Sequence, residues 1–273
     1  GLLNTLEDES NLIEEFAMKI PVEVIGNLFN IPHSQRGPLR DWSLAILGAL
    51  EPSPTNIQLS KGNTAVLEFK DFLKDITDER RINPGNPNTD VLTRMLEAEE
   101  SNLSETELLQ NCIFILNAGH ETTTNLIGNS LWALSHYPAA KEMLINTPEM
   151  LDLAIEEFLR FLSPNQFGNR ETASEVILGG KKIPKYSNLH LCIGAANRDP
   201  LQFEQPEKLI IDRNPNRHLA FAGGAHHCVG SSLAKMEARI AIRKCLKKFP
   251  NYELVSEPIW SKRIRFRGLT HLQ

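Results

Sequence analysis

Three short stretches of this 273-residue chain carry residue types and spacings that can do chemistry. The first is FAGGAHHCVG, from Phe221 to Gly230, where Cys228 lies among glycines and follows His226 and His227. Consecutive side chains point in different directions, so His226, His227 and Cys228 would struggle to close on one tetrahedral zinc ion. A cysteine nucleophile needs a base and an orienting group, and nothing in the sequence points to which residues would serve. A buried thiol in a Gly-rich turn is the plain structural alternative.

Position adds to this. Cys228 stands just ahead of a helical stretch, where unpaired backbone N–H groups and the helix dipole favour a thiolate. The neighbouring glycines let the backbone approach a flat ligand. A sulfur held this way is suited to being an axial ligand of haem iron. The second stretch, AGHETT from Ala118 to Thr123, places Glu121 and Thr122 in the middle of a largely apolar helical pattern. There an acid and an alcohol are poorly explained by solvation, although helix-capping threonines are the ordinary alternative. The third, EEFLR, sets Glu157 and Arg160 as i,i+3 neighbours on a helix, a pairing that is common and weak when exposed.

These residues need elements to position them. Apolar residues at three- and four-residue spacing, as in Val66, Phe69, Leu73 and Ile76, predict helices through the first hundred residues, broken by prolines and by the loop NPGNPNTD. Ser104 and Glu107 form a capping-box pattern ahead of LLQNCIFILNAGHETTTNLIGNSLWALSHY. The pattern predicts one helix of roughly thirty residues, about 50 Å long, weakened in its middle by Gly119, His120 and the threonines. A further helix, PEMLDLAIEEFLRFL, carries Glu157 and Arg160. Beyond it come a hairpin around Gly179-Gly180, a strand in NLHLCIGA, a long loop from Asn197 to Gly230, a helix from Ser231 to Phe249 and a final strand in IRFRGLTHL.

With those elements in place, FAGGAHHCVG resembles the F-x-x-G-x-H-x-C-x-G haem-binding signature of the cytochrome P450 family, through Phe221, Gly224, His226, Cys228 and Gly230. AGHETT resembles the family's oxygen-activation motif, and EEFLR its E-x-x-R motif, in the same chain order. The similarity runs along the whole chain, while complete members are longer. It implies a mainly α fold with a smaller β region, a cytochrome P450 fold lacking its N-terminal portion. One domain over 1–273 is expected, helical to about 163 and built from strands, loop and the haem-ligand helix over about 164–273.

The resemblance also assigns roles. Haem b would be bound through Cys228, with Ala118 and Gly119 beside it, Phe221 near the sulfur, and Arg170 and His226 on the propionates. Glu121 and Thr122 would be the acid–alcohol pair. Glu157, Arg160 and Arg213 would form a buried network that fixes the cysteine loop, with Arg217 a weaker alternative to Arg213. Phe114, Ile115, Asn165, Gln166, Phe167, Ile259 and Trp260 would border a pocket for a lipophilic small molecule. The implied activity is insertion of one oxygen atom from O2, using electrons from a ferredoxin or flavodoxin type partner. Lys235, Arg239, Arg243 and Lys244 are either that partner's docking patch or a solvated face. Two alternatives stay open: a truncated haem-binding or partner-recruiting module, and a peroxide-driven relative.

Composition narrows the classes. With 29 basic and 34 acidic residues the formal net charge is -5, which offers no general attraction for nucleic acid or anionic lipid. No stretch has the apolar length of a membrane span, and the four cysteines lack CxxC spacing. The expectation is a cytoplasmic protein with no nucleic-acid or membrane partner.

Overall fold

The computed structural model describes residues 1–273, apart from the side chains of residues 99–102. A short π-helical turn, Ile13–Ala17, leads into α1 (Lys19–Leu28), which accepts Pro21 within its first turn, where the missing N–H has no helical partner to lose. Then follow α2 (Leu39–Ala49), α3 (Asn56–Ile82) and α4 (Val91–Asn102). Thr55 and Gln58 close a capping box on α3, and the Asp90 carboxylate caps α4 by accepting from the Leu92 and Thr93 N–H groups.

The expected thirty-residue helix is two helices. α5 (Glu105–Ala118) starts at the Ser104–Glu107 capping box, and α6 (Glu121–His136) begins after a two-residue break at Gly119 and His120. The break has local causes. Thr122 Oγ1 donates to the Ala118 carbonyl at 2.9 Å and Thr124 Oγ1 to the His120 carbonyl at 3.1 Å, bonds that compete with the helical ladder. α7 (Pro138–Asn146) and α8 (Leu151–Phe161) complete the helical run.

The strands come in three antiparallel pairs. β1 (Phe167–Glu171) pairs with β4 (Asn188–Cys192), so that Arg170 stands opposite Leu189. The sequence reading did not anticipate β1, and the strand read in NLHLCIGA stops at Cys192, where the chain turns into α9 (Ile193–Ala196). β2 (Val176–Leu178) and β3 (Lys181–Ile183) form the expected hairpin, with Gly179 and Gly180 at φ 56° and 75°, the left-handed turn that glycine enters without a Cβ clash. β5 (Ile259–Trp260) pairs with β6 (Leu269–His271). Only the end of IRFRGLTHL is therefore strand. Its basic part is a strap, with the Ile264 and Arg265 N–H groups donating to Glu51.

α10 (Ser231–Lys248) follows the long loop and packs on α6 and α8. Two apolar clusters result. One gathers Leu126, Leu131, Phe158, Leu159, Ile242 and Leu246 around α6, α8 and α10, and the other gathers Phe29, Phe69, Leu73, Leu92, Leu108 and Leu116 around α1 to α5. The α5–α6 break lies where the two meet.

Candidate functional site

Cys228 lies three residues ahead of α10, and its side chain is exposed. The loop that presents it is closed by the Cys228 N–H donating to the Phe221 carbonyl at 2.9 Å, and by the His227 N–H donating to Gly224 at 3.1 Å. Gly224, at φ 61°, supplies the left-handed residue of that turn. His226 is exposed on the same loop, while His227 turns back to Ser231 Oγ at 3.3 Å. His227, also exposed, thus has its contact at the first residue of α10.

The loop is braced from behind. Glu157 and Arg160 side chains are both fully buried and joined at 2.8 Å, and Arg213 Nε reaches the same carboxylate at 3.0 Å. The Ile210 N–H and Asn216 Nδ2 complete its shell at 2.9 and 3.1 Å. Arg160 spends its remaining donors on the Asn197, Pro206 and Lys208 carbonyls. The guanidinium therefore staples three points of the aperiodic chain to α8. Arg217 lies outside this network and is exposed.

Sequence reasoning missed Asn197. It is fully buried, donates to Ser163 Oγ at 2.7 Å and accepts the Leu219 N–H at 2.7 Å, fixing the chain two residues before Phe221. In the sequence Asn197 marks only the start of the long loop. A polar residue at the end of a short apolar run was the one available signal.

The central break presents its residues to two sides. Phe114 and Ala118 are exposed and Thr122 is partly so, forming an open stripe at i, i+4, i+8 spacing, with Ile115 and Glu121 along its edge. Glu121 is largely covered, and its carboxylate faces the Arg263 guanidinium at 3.6 Å. That guanidinium also donates to the Leu44 carbonyl in the middle of α2. Arg263 is a second residue that the sequence reading did not single out, although it lies in the basic run KRIRFR. His120 points the other way, is 3% exposed, and neither ring nitrogen has a hydrogen-bond partner. Burial first, and the nearby Arg40 charge second, push its pKa down to about 4.

The remaining expected residues disperse. Arg170 is partly buried on β1 and donates to the neighbouring Asn169 carbonyl. Gln166 turns its amide to the Ser163 carbonyl at 2.6 Å and lines a cavity of about 240 Å³ with Arg160, Arg198 and Arg267. Asn165 bridges to Phe266, Ile259 is exposed, and Trp260 packs edge-on against Trp132 at 5.2 Å. Phe167 is partly buried on β1. Of the basic residues on α10, Lys235 pairs with Glu156 at 2.9 Å and Arg239 with Asp152 at 3.2 Å, while Arg243 and Lys244 are exposed.

The donor set fits a flat anionic group ligated by sulfur. An exposed thiol beside a helix start, hydrogen-bond donors in Arg170 and His226, and an open stripe at Phe114, Ala118 and Thr122 suit haem and its carboxylates. Among the described residues no group of His, Cys, Asp and Glu could hold a bare metal ion, and no helix is long and apolar enough to cross a membrane.

Comparison with known proteins agrees with that fit. The family described as Cytochrome P450 matches residues 50–258. The polyketide biosynthesis cytochrome P450 PksS of Bacillus subtilis (strain 168) is 38% identical over 272 residues, covering 97% of this chain and 65% of PksS. Among solved structures, Mycobacterium smegmatis CYP164A2 superposes with a TM-score of 0.94 at 32% identity, over 99% of this chain and 71% of that one. P450BioI, solved with an acyl carrier protein bearing hexadec-9Z-enoic acid, superposes with a TM-score of 0.92 at 33% identity, over 96% of this chain and 68% of that one. The chain spans about two-thirds of the length of the relatives it matches. A thiol on a loop stapled by a buried Glu–Arg–Arg network, ahead of α10 and in the fold of those relatives, places the chain in the cytochrome P450 family.

Proposed function

We propose that this chain forms the haem-thiolate part of a monooxygenase that inserts one oxygen atom from O2 into a lipophilic small molecule. The observation that carries the reading is Cys228, exposed on a closed loop at the start of α10 and braced from behind by Glu157, Arg160 and Arg213. In this reading Cys228 supplies the thiolate to haem b, and Arg170 and His226 bind its carboxylates. Haem, when bound, supplies the redox chemistry that activates oxygen.

The chain's own groups handle protons and orientation. The Thr122 hydroxyl, anchored on the Ala118 carbonyl, keeps its lone pairs turned outward to accept from a water molecule on the open stripe. Glu121, held by Arg263, is the group that exchanges protons with that water. Phe114 and Ile115 continue the stripe as apolar lining. Electrons come from a ferredoxin or flavodoxin type protein. Because P450BioI was solved with a fatty acid carried on an acyl carrier protein, free and carrier-bound acids belong in any substrate screen.

The test is the absorption spectrum of the haem-reconstituted chain after dithionite reduction and exposure to carbon monoxide. A strongly red-shifted Soret band that disappears in Cys228→Ser is expected. Its persistence in Cys228→Ser, or failure of the chain to take up haem, overturns the reading. Product formation with a ferredoxin system, and none with peroxide alone, separates the oxygen-dependent route from a peroxide-driven one.

A further inference from the structure

Adjacent carboxylates on α8 serve different structures. Glu157 points into the buried network, whereas Glu156, one residue earlier and therefore turned about 100° around the helix, faces α10 and the chain entering the cysteine loop. Glu156 Oε1 accepts from Lys235 Nζ at 2.9 Å, and Oε2 lies 2.7 Å from His218 Nε2. The other ring nitrogen of His218 accepts the Ala220 N–H at 3.2 Å.

These contacts fix the imidazole. A backbone N–H only donates, so Nδ1 is the acceptor, the proton sits on Nε2, and Nε2–H donates to Glu156. The His218 side chain is 5% exposed, and its ring centroid lies 6.2 Å from that of Phe221. The next link is covalent: Ala220 precedes Phe221, whose carbonyl receives the Cys228 N–H. On the far side of Cys228, Lys235 lies on the second turn of α10. One carboxylate thus ties together the chain on both flanks of the cysteine. Its hydrogen bond from His218, then that from Lys235, holds the Glu156 carboxyl down at about 2, so it remains an acceptor throughout the physiological range.

We propose that Glu156 and His218 are positioning residues for Cys228: a second brace, distinct from the Glu157 network, that sets the geometry of the Phe221–Cys228 loop and the share of protein in which the sulfur ligates as thiolate. The inference rests on Cys228 being the haem ligand. Lys235 contributes the weaker arm, because its pair with Glu156 is partly solvated.

The test uses the full chain in two states. Without haem, amide hydrogen exchange over residues 218–228 is compared in wild type, Glu156→Gln, His218→Phe, His218→Gln and Lys235→Met. Losing a hydrogen bond to a charged group accelerates exchange there by about tenfold in Glu156→Gln and His218→Phe, with residues 238–246 of α10 unchanged. His218→Gln, which keeps a donor for Glu156, falls between wild type and His218→Phe. Lys235→Met changes the rate about twofold. With haem, the first two variants move part of the reduced carbon monoxide spectrum from the strongly red-shifted band to the unshifted one, while the Glu157 network is intact.

Exchange and band ratio at wild-type values in Glu156→Gln overturn the brace, and that variant alone decides if His218→Phe does not fold. Haem that keeps its red-shifted band in Cys228→Ser overturns the ligand reading instead, and leaves the exchange result standing.

Discussion

The two sides of the Cys228 loop are built differently. Behind it, Glu157 and Arg160 are fully buried, every donor of Arg160 is answered, and Asn197 pins the incoming chain. In front of it, Cys228, His226 and Ala118 are exposed and Thr122 partly so, with contacts largely to their own backbone neighbourhoods. Chemistry needs groups that can reach a ligand, and such groups cannot also be held by a packed core. The rigidity is therefore placed one layer back, in residues that touch nothing reactive. The same division separates consecutive residues at the helix break, where His120 goes into the packed side while Thr122 lines the open one and Glu121 borders it.

The most direct way to break this contrast is to remove one member from each side. Glu157→Ala leaves Arg160 and Arg213 without their shared carboxylate in a buried site, a loss of about 3–5 kcal/mol. Denaturant unfolding should show that loss, and haem uptake should fail with it. Cys228→Ser removes an exposed atom and should change stability by no more than about 0.5 kcal/mol, while abolishing the thiolate spectrum. Equal losses in the two variants would mean that the loop, not the layer behind it, holds the structure.

His120 tests the packed side through pH. Its folded pKa of about 4 lies below the ordinary 6.5, so the unfolded chain takes up the proton first. The stability this gives is complete above pH 6.5 and is lost as pH falls towards 4, on the order of 3 kcal/mol at 1.36 kcal/mol per unit. Glu237 works in the opposite sense. Burial pushes its carboxyl up to about 7, so its contribution is complete below the ordinary 4.5 and is lost as pH rises towards 7. Between pH 4.5 and 6.5 the two slopes oppose. In His120→Gln the first slope is gone, and urea midpoints should fall with rising pH more steeply than in wild type across that window. Parallel curves for the two proteins would place His120 in solvent contact.

How much of this could be read from the residues follows the same division. Cys228, Glu121, Thr122, Glu157 and Arg160 were legible because each belongs to a motif with fixed local spacing, and local spacing survives in a linear sequence. Arg213 required the family resemblance, since it sits in irregular chain 56 residues from Glu157, with no local spacing to link the two. Asn197, His218 and Arg263 were not legible, because their partners are remote in sequence and no periodicity marks a polar residue in irregular chain, and Glu156, although on α8, has its partners 62 and 79 residues away. The weak middle of the central helix was visible in composition. That it is a true break depends on hydroxyls bonding back to the Ala118 and His120 carbonyls, a choice that Thr122 and Thr124 make only in the folded chain. β1 gave no signal because FGNRE is only half-buried, at Phe167, Gly168 and Arg170, and its covered positions do not alternate cleanly with polar ones.

The smallest effect sits at the boundary between the two sides. Ala222, inside the cysteine loop, has φ 58°, a left-handed conformation that costs a residue with a Cβ about 1 kcal/mol. The conformation is imposed: the Ala222 N–H donates to Leu219 at 2.8 Å, and two residues on Gly224 must turn again so that Cys228 can reach the Phe221 carbonyl. Ala222→Gly relieves the clash, and the greater freedom of glycine in the unfolded chain returns part of the gain, leaving a net stabilisation of about 0.5 kcal/mol. Thermal melts with and without haem check the value. A gain in both states means that the brace behind the loop fixes its path whether or not a ligand is present. A gain confined to the haem-bound chain would mean that the loop takes this path only on the ligand, and that rigidity on the packed side stops short of the cysteine.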